Sequence, residues 1–390
     1  MRLGEADQEV RPSKRPSLRE HARNILPWLP PLLGFLAFFA VAYGVEQPGT
    51  DFHVVFWPTV RNWFLAGQPL YSGGVLYNPP WTAFFLLPFA LVSEDLGRAL
   101  LACLTMAVVF WSTAYFSLAG RWRLLAIALA LSSVHTFRAA LVGQVDGFAL
   151  LGIPLGLWAL ERLKRPNPGR VSQERDTGAL IALSVSFVLI SIKPQVMLLV
   201  AALYLWELRT LPWRSRLVVL SLPVLVLLSS FPIFGSDWPL RWWTLAQEQP
   251  PYQVFTVTTW RAAKELGLPT AVPLAVAVAG VAGGLWAYRT AGLSRDSVAL
   301  ALIGGAVATY YSSPSSTMVL LAVTFPWLLS NAPFVAIPVY AFSLNPLLLG
   351  SLNTTSEAWA DIGFWWALWL ASVAIFWRKY ARSKPDRAPT

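Results

Sequence analysis

The sequence predicts an all-α polytopic membrane protein, and three observations carry that expectation. Of 390 residues, 56% are apolar and only 13% are charged; a soluble chain would be about a quarter charged. The apolar residues fall in separate runs, each of roughly the length a helix needs to enter or cross a bilayer, about 20 residues for a full crossing. The basic residues collect in alternate segments between those runs, as the positive-inside rule requires. Disorder, collagen-like repeats and an ordinary soluble enzyme are excluded.

Residues 1–25 are polar and rich in Arg and Lys, and are read as a cytoplasmic tail rather than a removable signal peptide. A first span over 26–45 ends at Glu46-Gln47-Pro48-Gly49-Thr50-Asp51. Phe52, Val55, Phe56, Val60 and Phe64 then recur at helical spacing, with His53, Arg61 and Asn62 among them, which predicts an amphipathic interfacial helix ended by Gly67-Gln68-Pro69. After Tyr77-Asn78-Pro79-Pro80, the apolar run over 81–92 is too short to cross and reads as re-entrant or interfacial. Further spans are expected at 98–119, 124–137, 145–160, 177–192, 195–208, 217–234, 270–288, 298–311, 318–330, 333–349 and 361–377, about twelve in all. Residues 378–390 form a second cytoplasmic tail, and 26–377 a single membrane domain.

Charge tests this parity. With 81–92 not crossing, Arg61, Arg98, Arg138, Lys193, Arg241, Arg261 and Lys264 are all that the far side holds of the 30 basic residues. The net charge of +10 is therefore a topology signal and suits anionic membrane lipid, not nucleic acid. The two longest far-side segments are 46–97 and 235–269. No phosphate-binding Gly-rich loop with Lys-Ser/Thr occurs, and no inside segment is long enough for a nucleotide-binding domain. His21, His53 and His135 have no metal-ligand spacing, and no Gly-x-Ser-x-Gly elbow is present. No metal or cofactor is expected. Cys103, the single cysteine, reads as a buried packing residue.

Charges at the membrane are costly, so each far-side one invites a reason. Asp51 directly follows a span; its carboxylate could take a proton from a hydroxyl, or cap the helix beginning at Phe52, or do both. Arg138, Gln144 and Asp146 fall in one expected turn, near His135, and could hold a phosphate or form a simple ion pair. Lys193-Pro194-Gln195 separates two short apolar runs; Pro breaks the helix there, and the ammonium could meet a lipid phosphate or snorkel to the interface. Trp242, Trp243, Tyr252 and Trp260 could stack on sugar rings or form an aromatic belt. Tyr310-Tyr311-Ser312-Ser313-Pro314-Ser315-Ser316 is one more polar far-side turn.

The order of these features resembles glycosyltransferase family 87, from about residue 28 to 330. The resemblance rests on the Asp after the first span, Gly67-Gln68-Pro69-Leu70-Tyr71, Tyr77-Asn78-Pro79-Pro80, Gly143-Gln144-Val145-Asp146 and Lys193-Pro194-Gln195. It implies a GT-C-like bundle and transfer of a hexose, mannose, from a polyprenyl-phosphate sugar to a lipid or glycan acceptor on the extracytoplasmic side, with inversion. It also implies Asp51 as general base and Lys193 as a donor-site residue. Arg138, and more weakly Arg61, join Lys193 as candidates for the donor phosphate; His53, Gln144, Asp146, Tyr77 and Gln195 complete the expected substrate-binding set. Two departures stand out: Asp146 where the family often has Asn, and Ser315-Ser316 where it often has His-Tyr. A twelve-span secondary transporter fits the same composition, but transporters place polar sites at mid-membrane between similar halves, and these candidates gather at one face. A non-catalytic lipid-binding component is the third reading.

Overall fold

The computed structural model describes residues 29–44, 50–71, 76–118, 120–165, 176–248, 256–344 and 354–381. The expected tail over 1–25 lies outside them, as does 382–390 of the second tail. Every regular element among the described residues is helical. In chain order these are α1 (Leu29–Gly44), a π-helical turn (Phe52–Phe56) running into α2 (Trp57–Ala66), α3 (Thr82–Ala90), α4 (Glu94–Phe116), α5 (Arg121–Ser132), α6 (Val134–Val142), α7 (Asp146–Lys164), α8 (Thr177–Ile190) and α9 (Pro194–Leu208). They continue with α10 (Trp213–Phe234), α11 (Trp238–Glu248), α12 (Thr259–Glu265), α13 (Ala271–Ala291), α14 (Arg295–Ala308), a 3-10 turn (Pro314–Ser316), α15 (Thr317–Asn331), α16 (Pro333–Ser343) and α17 (Thr354–Ala381).

Over the described residues each expected apolar run contains a helix, but the lengths differ widely. Four stretches, Glu94–Phe116, Trp213–Phe234, Ala271–Ala291 and Trp359–Ala381, are long and apolar enough to cross a membrane, and the bent pair α5–α6 makes a fifth candidate. The 14 residues of α8 rise only about 21 Å, short of a hydrocarbon core about 30 Å thick.

The run expected as one span over 124–137 is instead two helices bent by 48° at Ser133. Ser133 adopts extended backbone, and its hydroxyl accepts from His135 N, so it caps a new helix instead of continuing the old one. Arg138 therefore lies on α6 and not in the turn where the sequence spacing puts it.

α15 is apolar all round and buried throughout, as Met318, Val319, Leu320, Leu321 and Phe325 show with 0% exposure. α4, α5 and α14 pack around it. α10 and α13 lie at the periphery with Leu225, Leu228 and Val278 exposed, the arrangement of helices whose outer faces meet lipid. α13 and α14 pack backbone to backbone: a Cβ on Gly304 would lie 2.3 Å from the carbonyl oxygen of Gly280. Cys103 is buried, as expected.

A second apolar cluster supports the first loop. Phe52, Phe56, Val60, Leu70, Leu76, Ala83 and Leu86 are buried with Phe148, Ile192, Phe234 and Trp238. The helix expected at the interface thus turns one apolar face into protein, while Val54, Phe64 and Leu65 stay exposed. α3 is only nine residues long and packs on α2 and α4. Gly67, in the left-handed region at φ 65°, ends α2 where the sequence predicts.

Polar side chains gather at the two ends of the bundle. At one end Lys164 pairs with Glu207 at 2.6 Å, Tyr115 donates to Glu161, and Asp296 accepts from Lys379, Tyr380 and Trp327. At the other end lie Asp51, the turn between α6 and α7, the break between α8 and α9, and the segment between α14 and α15.

Candidate functional site

Asp51 opens the π-helical turn. Its backbone is already helical (φ −58°, ψ −34°), and its side chain makes no capping bond. The capping role that the sequence allowed is absent, so the carboxylate is left for another partner. That partner is Gln144, whose Nε2 donates to Asp51 Oδ2. The contact spans 93 residues of chain and joins the first loop to the α6–α7 turn.

Gly143 makes this contact possible. It ends α6 at φ 74°, where an L side chain is strained, and its Cα faces Phe52 so closely that a Cβ would lie 2.5 Å from Phe52 Cβ. Gln144 N then bonds Ala139 O at 2.9 Å, which fixes the direction of the amide. Two residues on, Asp146 starts α7 with 0% side-chain exposure. A carboxylate so deeply buried needs compensation, and it has four sources. Lys193 Nζ lies 2.7 Å from Oδ2, Ser315 Oγ donates to Oδ2 at 3.0 Å, Ser316 Oγ donates to Oδ1 at 3.1 Å, and the N-terminus of α7 adds its dipole.

Lys193 is held just as closely. It precedes Pro194, the first residue of α9, with its backbone at φ −128° and ψ 66°, and its ammonium also donates to Ser313 Oγ at 3.1 Å. Ser313 and Ser315 share a bond of 2.6 Å. The break between α8 and α9 is itself anchored from the first loop: Asn78 Nδ2 donates to Ile192 O at 3.1 Å, and Trp81 Nε1 to Ser191 Oγ at 3.0 Å. Four segments far apart in sequence therefore meet at one end of the bundle.

Of the sequence-predicted set, the structure brings together Asp51 and Gln144, and Asp146 and Lys193. One contact of Tyr77 lies elsewhere: its backbone carbonyl accepts from Trp242 Nε1 at 3.0 Å. Gln195 is half-buried one residue past Pro194. Arg138 is exposed on α6. Arg61 and His53 serve the first loop: Arg61 Nη1 donates to Ala90 O at the end of α3 and its guanidinium covers the Trp57 ring, while His53 pairs with Glu94 at the start of α4. His135, buried, lies 3.2 Å from Asp361 and 3.1 Å from Ser343 O, tying α6 to α16 and α17.

The sequence reading missed the serines as a group. Ser313, Ser315 and Ser316 complete the shell of the Asp146–Lys193 pair, and the run of hydroxyls after Tyr311 is the one signal that pointed there. It also missed Tyr311. Burial, then the nearby charges of Asp146 and Asp51 and the neighbouring Tyr77, push this phenol well above the usual tyrosine range.

Chemically the two carboxylates are unlike. Asp146 is saturated by a cation and two hydroxyls. Asp51 is partly exposed and bonded by one neutral amide, so a proton could reach it. Among the described residues, no group of three His, Cys, Asp or Glu side chains could hold a metal ion.

Comparison with known proteins agrees with the sequence resemblance. Residues 76–314 match the family model of glycosyltransferase family 87. Among solved structures, the crystal structure of ArnT from Cupriavidus metallidurans bound to undecaprenyl phosphate is similar with a TM-score of 0.41 and 14% identity, over 90% of this chain and 77% of that one. No curated protein matches.

Proposed function

This chain belongs to glycosyltransferase family 87, and on that premise we propose that it moves mannose from a polyprenyl-phosphate sugar to a lipid or glycan acceptor, inverting the sugar carbon. The family makes it a membrane glycosyltransferase; the donor, acceptor, stereochemistry and site roles are the proposal. In this reading the bundle has a GT-C-like fold and crosses a bacterial plasma membrane about twelve times, α3 being the re-entrant piece. Both tails are cytoplasmic, and the end holding Asp51 faces out. The basic residues at the opposite end, Arg162, Lys164, Arg209, Arg289, Arg295 and Lys379 among them, support that orientation.

The chemistry asks little of the protein beyond one base and fixed charges. A phosphate is already a good leaving group, so no general acid is required. An acceptor hydroxyl oxygen attacks the anomeric carbon while its proton passes to Asp51. The bond from that carbon to the phosphate oxygen breaks, and the lipid phosphate departs with the electron pair. The contrast between the two carboxylates carries this assignment: Asp146 has its charge committed to Lys193, while Asp51 is met, among the described residues, by the neutral amide of Gln144. Lys193 consequently stabilises the site through Asp146 as well as through any phosphate it meets, and Arg138, exposed on the helix that leads into Gln144, is the second cation this reading assigns to the donor head group. Membrane lipid surrounds the bundle and supplies the donor's route of entry.

The test is transfer of radiolabelled sugar by purified protein from a panel of polyprenyl-phosphate sugars. Mannose should move and other hexoses lag. The Asp51→Asn variant should fold and transfer nothing; full transfer by that variant would refute the base assignment.

A further inference from the structure

We propose that the end of the bundle opposite Asp51 carries a binding site for one anionic phospholipid, with the head group against Arg209 and Arg214 and the acyl chains along an exposed stripe of α9. Such a site needs only that the bundle lies in a membrane, whatever sugar it moves. Most of α9 is buried: Val196, Met197, Val200, Leu203 and Tyr204 are at most 2% exposed. Leu198, Leu205 and Trp206 are instead 67%, 49% and 52% exposed, and Ala202 and Arg209 are exposed in line with them. Spacings of three and four keep these residues on one face. From Leu198 to Arg209 the chain rises about 16 Å, the depth of one leaflet of a hydrocarbon core about 30 Å thick. α13 borders the stripe, since Leu199 packs so closely on Gly284 that a Cβ there would lie 2.7 Å from its Cδ2.

The foot of the stripe supplies the head-group site. The Arg209 guanidinium lies 3.9 Å over the Trp206 ring, and that of Arg214 lies 5.7 Å from the ring of Trp213, which is 64% exposed. Arg216 ties the two helix ends together: its Nη2 donates to Arg209 O at 2.5 Å and its Nε to Leu211 O at 2.7 Å. The charge here has one sign. No Asp or Glu occurs between Glu207 and Asp237. Glu207 itself is met by Lys164 at 2.6 Å and by the hydroxyl of Tyr288, beside Arg209. Other cations at this end have carboxylates, Arg162 with Asp176 and Lys379 with Asp296; among the described residues no carboxylate forms a salt bridge with Arg209 or Arg214. A phosphodiester complements these two arginines, and the exposed indoles suit the glycerol level of a membrane. The donor lipid is a different occupant, because its phosphate belongs at the Asp51 end.

The experiment uses purified full-length protein in mild detergent and two probes with the same chains, dioleoyl phosphatidylglycerol and dioleoyl phosphatidylcholine, with bound lipid counted by native mass spectrometry. Wild type should retain one phosphatidylglycerol with at least about a tenfold preference, as two arginines at an anionic surface provide. Arg214→Gln, at an exposed position, should melt like wild type and cut the preference about fivefold. Arg209→Gln combined with Arg214→Gln should abolish it. Arg121→Gln combined with Arg123→Gln removes two exposed cations from α5 and should leave the preference unchanged. Ala202→Trp, which fills the stripe, should weaken retention of both probes alike. Equal retention of the two probes by wild type would overturn the inference, as would a loss in the α5 variant as large as in the Arg209 and Arg214 variant. Displacement of the bound lipid by free glycerol phosphate, or by an equal concentration of undecaprenyl phosphate, would overturn it too.

Discussion

Replacing each carboxylate by its amide, Asp51→Asn and Asp146→Asn, separates the two roles the structure gives them. Asp146 lies 2.7 Å from Lys193, with side-chain exposures of 0% and 7%. At an effective dielectric of about 20, such a pair has about 6 kcal/mol of Coulomb attraction. Desolvation offsets part of this, and breaking one partner of a buried pair costs about 3–5 kcal/mol. In Asp146→Asn the single amide oxygen can still accept from one of Ser315 and Ser316, which bond different carboxylate oxygens, so the loss falls within that range. In Asp51→Asn, by contrast, the side chain can still accept from Gln144 and strands no buried charge; stability should stay within about 1 kcal/mol of wild type. Activity should run the other way. Loss of a general base costs at least about a hundredfold in turnover, whereas Asp146→Asn should lose transfer chiefly as its folded fraction falls. Thermal and denaturant unfolding in detergent gives the first quantity, and radiolabelled transfer at a temperature where both variants are folded gives the second. The reasoning fails if Asp146→Asn unfolds like wild type, or if Asp51→Asn keeps more than about a tenth of wild-type turnover.

Other consequences can be checked with the same two assays. The pair Asp146→Leu with Lys193→Met should recover at least half of the stability lost by either change alone, since two matched apolar groups replace an ion pair without stranding a charge; a double variant less stable than both singles would contradict the pairing. Gly143→Ala should destabilise by more than about 1–2 kcal/mol, because the left-handed backbone and the nearby Phe52 both resist a methyl, and transfer should fall with it as Gln144 shifts. Gln144→Ala should lower turnover about tenfold and add nothing in an Asp51→Asn background; an additive loss would show that the two act apart. Gly304→Ala should destabilise by about 1–3 kcal/mol, since its methyl would strike the Gly280 carbonyl of the neighbouring helix, with transfer per folded molecule unchanged.

Some of this molecule was legible from residue order. Apolar runs set where helices form because a backbone placed in lipid must satisfy its own hydrogen bonds, and the runs over 98–119, 217–234 and 270–288 appear as α4, α10 and α13. Gly67 ended its helix as expected, for the same reason that Gly143 ends α6: both stand in the left-handed region, which disfavours other residues. The bend at Ser133 was harder to read. A serine in an apolar run gives no sign of whether its hydroxyl will bond back within the helix or cap a new one; here it caps α6, whose His135 packs against Asp361 on α17. The site divides in the same way. Asp51, Gln144, Asp146 and Lys193 were each visible as polar residues in apolar surroundings, but their pairing was not. Asp51, expected as base, bonds Gln144, and Lys193, expected at the donor, pairs with Asp146. Arg61 and His53, near Asp51 in sequence, turn instead to α3 and α4.

The sequence by itself determined that this chain is a bundle of helices for a membrane, that its basic residues favour one end, and which handful of polar residues stand out against an apolar background. Those are properties of short stretches, since hydropathy, helix breaking and charge act over a few residues at a time. Which carboxylate is neutralised and which is left open was decided only when segments around residues 51, 144, 193 and 313 came together, because a buried charge takes its partner from whatever the fold places within about 3 Å, not from its neighbours along the chain.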